Sequence, residues 1–226
     1  MPDTFATLAD AYPAWWVDLL GEHNHVGGAE ATQWLLERAR LAAGEAMLDA
    51  GAFVGAAARA AAGRGARAVA VDVVPDFLAA GRAMSRGEEV AWVTADARRL
   101  PFATGAFASV WCLESSVFPR ELSRVARAAG ATLCLCCEAP ADGRGGLEAF
   151  LDEWAEYGWR LAAHRPLTLE ALATWRRCEA ELVARRPHFE ARYGSRGYLR
   201  QLDHLAALVA MYERGSAGHA LMVLER

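Results

Sequence analysis

From Glu45 onward the chain alternates short, nearly continuous apolar runs with stretches whose apolar residues recur at helical spacing. The runs EAMLDA, RAVAVDV, EVAWVTA, FASVWCL and ATLCLCCE read as strands, and VGAAARAAA, PDFLAAGRAMSR, PRELSRVARAA and GLEAFLDEWAEY as helices between and after them. Strands that are apolar on both faces belong in a parallel sheet covered on both sides, because each crossover lays a helix across the sheet. Sandwiches and helical bundles do not write this pattern. Pro75 is placed to open a helix, where its missing N–H costs nothing, and Gly130 to follow a helix whose last turn carries Arg124 and Arg127.

After the fifth strand the order changes. ADGRGG reads as a loop, GWRLAAH as a sixth strand, and GHALMVLE as a last one, with helical patterns over Thr168–Arg186 and about Ser195–Arg214 between the two. We expect these two helices, within a cap over residues 166–216, to cover the carboxyl edge of the sheet, where open α/β sheets hold ligands. Residues 1–44 also read as helical, around the polar loop GEHNHVGG, and form a lid segment in a single domain over 1–226. Trp15 and Trp16, adjacent on one helix, cannot both face one core; either both serve packing in different directions or one faces a ligand or the cap.

A 54% hydrophobic content in 226 residues supplies one full core, and a net charge of −4 gives no general attraction to nucleic acid or to an anionic membrane surface. The chain contains no lysine, which excludes Schiff-base chemistry and a phosphate-loop lysine. No signal-peptide pattern or membrane-length apolar run is present, so a cytoplasmic location is expected. The five cysteines are an odd number, four of them in strand-like apolar runs, and are expected to be reduced, buried side chains. His23 and His25 form an H-x-H pair without further ligands at metal-binding spacing, so no metal is expected; His164, His188, His204 and His219 read as element ends or surface. The arginine-rich stretch containing Arg176, Arg177 and Arg200 reads as a solvated helix face, or as a contact for an acidic substrate under the cap.

The chemistry begins at MLDAGAFVG, where a strand ends at Asp49 and Gly51 and Gly55 precede a helix. A helix opening directly after a strand points free N–H groups at the crevice, and glycine lets a ligand approach them. Asp72 ends the next strand, where a carboxylate can accept hydrogen bonds from a ribose diol. The G-x-G-x-x-G fingerprint of dinucleotide binding is missing, which disfavours a nicotinamide-dependent oxidoreductase. DAGAFVG, the pair Asp96-Ala97 followed by Leu100-Pro101-Phe102, and ELSRVARAAGATLCL together resemble the class I S-adenosylmethionine-dependent methyltransferases, above all their small-molecule members.

That resemblance implies a doubly wound, mostly parallel seven-stranded sheet with an antiparallel last strand, and S-adenosyl-L-methionine as cofactor. It implies a cofactor site at Asp49, Gly51, Phe53, Gly55, Asp72, Val73, Asp96, Ala97 and Cys112, with Gly51 at the methionine portion, Asp72 on the ribose and Asp96 on the adenine amino group. Glu114, in CLESSVF, resembles the glutamate-bearing strand end of sterol and isoprenoid methyltransferases and is the candidate proton acceptor; a helix cap or an idle carboxylate is the plainer reading. His25 is a second catalytic candidate, with Gly27 and Gly28 near the mouth, and Tyr12, Trp16 and Ser115 are candidates for the acceptor side. The expected partner is a small methyl acceptor such as an amine, phenol or isoprenoid-like molecule, and the expected assembly a monomer or homodimer. Two departures stand out: Phe53 occupies the middle glycine of the family's D-x-G-x-G-x-G, and Ala108 an aspartate before the fourth strand. Phe53 is harmless if its ring turns away from the ligand and strained if the position needs positive φ. These departures keep open a ligand-binding protein of the same fold that transfers no methyl group.

Overall fold

The computed structural model describes residues 15–139 and 146–226. In chain order the elements are α1 Trp15–Leu20, α2 Gly28–Arg38, β1 Ala46–Ala50, α3 Ala56–Ala62, β2 Arg67–Asp72, α4 Pro75–Met84, β3 Val90–Thr94, β4 Ser109–Leu113, α5 Pro119–Val125, β5 Thr132–Ala139, α6 Gly146–Ala155, β6 Arg160–Pro166, α7 Thr168–Ala184, α8 Arg186–Glu213 and β7 Gly218–Glu225. The seven strands form one sheet in the order β3-β2-β1-β4-β5-β7-β6. β1 to β5 pair in parallel, and β7 is inserted antiparallel between β5 and β6. The dinucleotide-binding order 3-2-1-4-5-6 lacks that insertion, so the topology departs from a nicotinamide fold.

The alternation of side chains across the sheet feeds two apolar layers. Met47 and Trp111 point into the layer shared with α2, α3, α7 and α8, while Leu48, Val110 and Leu133 point into the layer beneath α5 and α6. β4 is buried along its whole length, whereas the edge strands β3 and β6 are partly exposed. All five cysteines are buried and unpaired. Among the described residues no helix is long and apolar enough to cross a membrane.

Two local expectations are corrected. Pro75 does open α4, but α5 ends at Val125 and Arg127 lies beyond it. There the chain turns extended at Ala126 to bridge Phe107, and the Arg127 N–H bonds the Phe107 carbonyl instead of continuing the helix. The second cap helix begins after a break at Gly194 (φ 73°, ψ 156°), near Ser195 as expected, and a helical segment over 186–193 precedes it within α8. Finally, among the described residues none from α7 or α8 lines the main cavity. The pair backs α1 instead: Trp175 and His204 meet Trp16 edge-on at 6.0 and 6.1 Å, Tyr193 stacks on Trp15 at 4.3 Å, and the Tyr193 hydroxyl donates to Asp18 at 2.7 Å. Arg176 pairs with Glu213 at 2.6 Å and Arg177 donates to the Leu19 carbonyl, so both serve packing of the cap.

Candidate active site

A cavity of about 400 Å³ lies at the carboxyl edge, where the strand order reverses between β1 and β4. Its wall contains Gly51 and Phe53 after β1, Asp72 and Val73 at the end of β2, Ala95 to Arg98 after β3, Glu114 to Ser116 after β4, and Trp16 of α1. Asp72 and Asp96 therefore open onto one space. Of the adjacent tryptophans, Trp15 is buried and Trp16 faces that space, as a helix with two neighbouring rings must divide them.

The first turn is built around Asp72. Its Oδ2 accepts the Phe53 N–H at 2.8 Å and its Oδ1 the Val74 N–H at 2.9 Å, so the carboxylate ties the β1 turn to the β2 end. Each oxygen keeps a second lone pair for a ligand. Burial pushes the Asp72 carboxyl above its ordinary range, and the backbone N–H groups pull it partly back. Gly51 has φ 75°, and a Cβ there would collide with the Ser115 side chain. Glycine is thus required by the wall itself as well as by any ligand.

Phe53 has φ 55°, so the position does demand the left-handed conformation. Its ring is 3% exposed and packs edge-on against Phe77 at 4.6 Å. Left-handed backbone costs a non-glycine residue roughly 1–2 kcal/mol, whereas emptying a buried phenyl site costs roughly 3–5 kcal/mol. Packing wins. Phe53→Gly is accordingly expected to destabilise the protein by about 2 kcal/mol, a melting temperature lower by roughly 5 °C, although it restores the family's usual residue. A melt at or above that of the unaltered protein would show the strain to be the larger effect. Ala108, at the other departure, is held by backbone bonds alone, its N–H on the Ala46 carbonyl at 2.8 Å and its carbonyl receiving the Thr132 N–H at 3.0 Å.

Asp96 is engaged by its own loop. Arg98 donates Nε to Oδ2 at 2.8 Å and Nη2 to the same oxygen at 2.7 Å, and the Arg98 N–H reaches Oδ1 at 2.8 Å. The guanidinium holds the Asp96 carboxyl below its ordinary range. Arg98 and Phe77, absent from the sequence reading, therefore share the wall with the expected residues. The Leu100-Pro101-Phe102 turn is clamped from α5: Glu121 accepts the Leu100 N–H at 2.6 Å, and Arg124 donates to the Phe102 and Leu100 carbonyls at 2.7 and 3.0 Å. The two motifs separated in sequence are one interlocked unit.

Four expected site residues do not line the cavity. Asp49 is 2% exposed and bonds the Ala58 N–H in the first turn of α3, beside a separate void of about 10 Å³. Gly55 caps α3 with its own N–H on the Ala52 carbonyl, and the space for its Cβ is occupied 2.6 Å away by Trp92, so it serves helix-on-sheet packing. Cys112 is buried, its thiol directed at the Ser115 and Ser116 carbonyls at 3.7 Å. His25 is folded back, Nε2 on Thr32 Oγ1 at 2.9 Å and Nδ1 on the Val26 carbonyl at 3.2 Å, and burial depresses its pKa, leaving a neutral ring. Gly27 and Gly28 form the turn into α2 and are also off the wall; Asn24 takes the place in the lining expected for His25. Tyr12 lies outside the described residues.

Glu114 is the most constrained residue in the wall. It follows β4 at φ 49°, its N–H on the Cys136 carbonyl at 2.7 Å. Oε1 receives the Val26 N–H at 3.2 Å, stands 2.6 Å from His219 Nε2 and accepts the Cys136 S–H at 3.6 Å. Among the described residues Oε2 has no hydrogen-bond partner. Burial pushes the Cys136 thiol well above its ordinary value, so the sulfur keeps its proton and remains a donor. His219 stands near the start of β7, an element end as expected, and is 2% exposed rather than at the surface. Glu114, Cys136 and His219 are near enough to hold a metal ion. However, two ligands of one tetrahedral zinc stand about 3.3 Å apart at metal–ligand distances of about 2.0–2.1 Å. A 2.6 Å contact is instead that of a charge-assisted hydrogen bond.

Residues 47–133 match the family model described as a methyltransferase domain. No curated protein matches the chain. Among solved structures, a putative sarcosine dimethylglycine methyltransferase from Galdieria sulphuraria superposes with a TM-score of 0.80 at 14% identity, over 93% of this chain and 95% of that one. The [4+2]-cyclase SpnF superposes at 0.71 with 22% identity, covering 86% and 79%, and geranyl diphosphate C-methyltransferase from Streptomyces coelicolor A3(2) at 0.63 with 18% identity, covering 86% and 78%. The inserted antiparallel strand, the cavity at the β1–β4 reversal and the superpositions agree on one fold, that of the solved methyltransferases, and within it residues 47–133 match a methyltransferase domain.

Proposed function

We propose that the protein transfers a methyl group from S-adenosyl-L-methionine to a small-molecule acceptor. The observation that carries this reading is the single cavity into which Gly51, Asp72, Asp96 and Glu114 all open. Its residues fit the cofactor: Asp72 retains lone pairs for a ribose diol, Asp96 and Ala97 line the same cavity and would hold the adenine amino group and ring edge, and Gly51 leaves room that a side chain would close. Bound there, the cofactor would supply an electrophilic methyl group on a sulfonium, which needs an aligned nucleophile in a dry pocket. Trp16, Phe118 and Ser115 shape the acceptor side, and Glu114 Oε2 is the group free to take a proton. A volume of about 400 Å³ lies near the lower end of ligand pockets, which suits a small acceptor rather than a protein or nucleic acid.

The tests are calorimetric and radiochemical. S-adenosylhomocysteine is expected to bind, and Asp72→Ala to weaken binding roughly 10- to 100-fold through loss of hydrogen bonds to a charged group. No heat at millimolar ligand would overturn the reading. Labelled S-adenosylmethionine is then supplied with alkylamines including sarcosine, with phenols and with geranyl diphosphate. A likeness to a cyclase shows that this fold also hosts other chemistry, so binding without transfer to any acceptor class would favour the non-transferring alternative.

A further inference from the structure

The anchor of Glu114 extends beyond the cavity. His219, near the start of β7, places Nε2 at 2.6 Å from Glu114 Oε1 and Nδ1 at 2.8 Å from the hydroxyl of Tyr212, at the end of α8. Both side chains are buried, His219 at 2% and Tyr212 at 4% exposure. The backbone of His219 is fixed as well, its N–H on Thr168 Oγ1 at 3.1 Å and its carbonyl receiving the Leu167 N–H at 2.7 Å. Hydrogen-bond accounting orders the protons. A bare Nε2 would set two lone pairs against each other at 2.6 Å, so Nε2 carries the proton and donates to Oε1. An imidazole that carries its one proton on Nε2 accepts the Tyr212 O–H at Nδ1.

We propose that His219, backed by Tyr212, is a positioning residue that fixes Oε1 of Glu114 so that Oε2 alone is presented to the cavity for proton acceptance. This rests on the reading of the cavity as a methyl-transfer site. The proton leaves an acceptor N–H or O–H for Oε2, the carboxylate becomes a carboxylic acid, and its proton passes to solvent after the product departs. The left-handed backbone at Glu114 is a local strain held by its surroundings, as expected where geometry serves chemistry. The proposal also gives α7 and α8 a purpose at the site: they do not touch the cavity, yet α8 delivers Tyr212 and the start of α7 secures the β7 backbone.

The test joins a spectroscopic and a kinetic measurement on the full chain. Long-range 15N spectra of the histidine rings with S-adenosylhomocysteine bound are expected to show a protonated Nε2 at His219, and a changed Nδ1 signal in Tyr212→Phe. With the acceptor turned over best in the labelled panel, His219→Ala is expected to lower kcat about 100-fold, with KM and S-adenosylhomocysteine affinity within about 3-fold. His219→Gln, whose amide N–H can reach Oε1, is expected to recover most of that loss, which separates positioning from failed folding. A ring protonated only at Nδ1, or a kcat unchanged in His219→Ala, would overturn the proposal. Bound S-adenosylhomocysteine with no turnover in any acceptor class would overturn the methyl-transfer reading and with it the proton-accepting role, while the spectra would still decide whether the anchor exists.

Discussion

Glu114→Gln is expected to lower kcat by roughly 10²- to 10⁴-fold, the range for losing a placed general base, while S-adenosylhomocysteine binds within about 3-fold of its original affinity. The geometry makes the substitution selective. Glutamine keeps one oxygen, which can stay on the Val26 N–H, the His219 Nε2–H and the Cys136 S–H. Its NH₂ group then takes the place of Oε2, the oxygen proposed to face the cavity, replacing an acceptor by a donor. The Asp72, Asp96 and Gly51 part of the wall is untouched, so cofactor affinity and turnover separate. Steady-state kinetics with the best acceptor, paired with calorimetry, gives both numbers. An unchanged kcat would remove Glu114 from the chemistry and leave it as an anchor for the Val26 loop.

The contrast between Glu114 and His25 shows what a sequence can carry. Asp72, Asp96 and Glu114 were legible because each stands at or just beyond the end of a strand, and a strand end in a parallel sheet has one place to go, the carboxyl edge. The sheet was legible for a related reason: β1, β2, β4 and β5 are apolar on both faces, a pattern no half-exposed strand writes. His25 lies in a loop, where direction is set by a local competition that spacing does not encode, and Thr32 won it. His219 was missed because its partners sit on β4 and β5, brought beside it only by the insertion of β7 between β5 and β6. A histidine one residue inside an apolar strand, next to Gly218, was the available signal. Phe53 had two readings of equal standing in sequence; only its φ of 55° decides that the ring is tolerated for its packing despite the backbone.

Asp49 was expected at the cofactor and lies instead behind the turn, where it is expected to dominate the pH dependence of stability. Burial raises its carboxyl from an ordinary 3.8 to about 7, with the neighbouring Asp72 charge adding to the effect and the Ala58 N–H opposing it. A folded value above the unfolded one means that the native state holds a proton the unfolded chain has released. Stability from this group is therefore full below about pH 4, falls as pH rises through the interval, and reaches a constant deficit of about 4 kcal/mol above pH 7. Buried His25 and half-buried His23 act in the opposite sense below their ordinary value of 6.5, since their folded pKa values are depressed, so the raw curve mixes the two. Asp72, raised in the same direction as Asp49, adds a further slope. The difference between the unaltered protein and Asp49→Asn isolates the one group. An asparagine oxygen can still accept the Ala58 N–H and cannot ionise, so the variant is expected to gain on the original between pH 5 and 8 by up to about 4 kcal/mol, roughly 10 °C in melting temperature. Melts that stay parallel across that interval would mean that Asp49 ionises in the fold as easily as in water, and that the buried site behind the first turn is wetter than its 2% exposure implies.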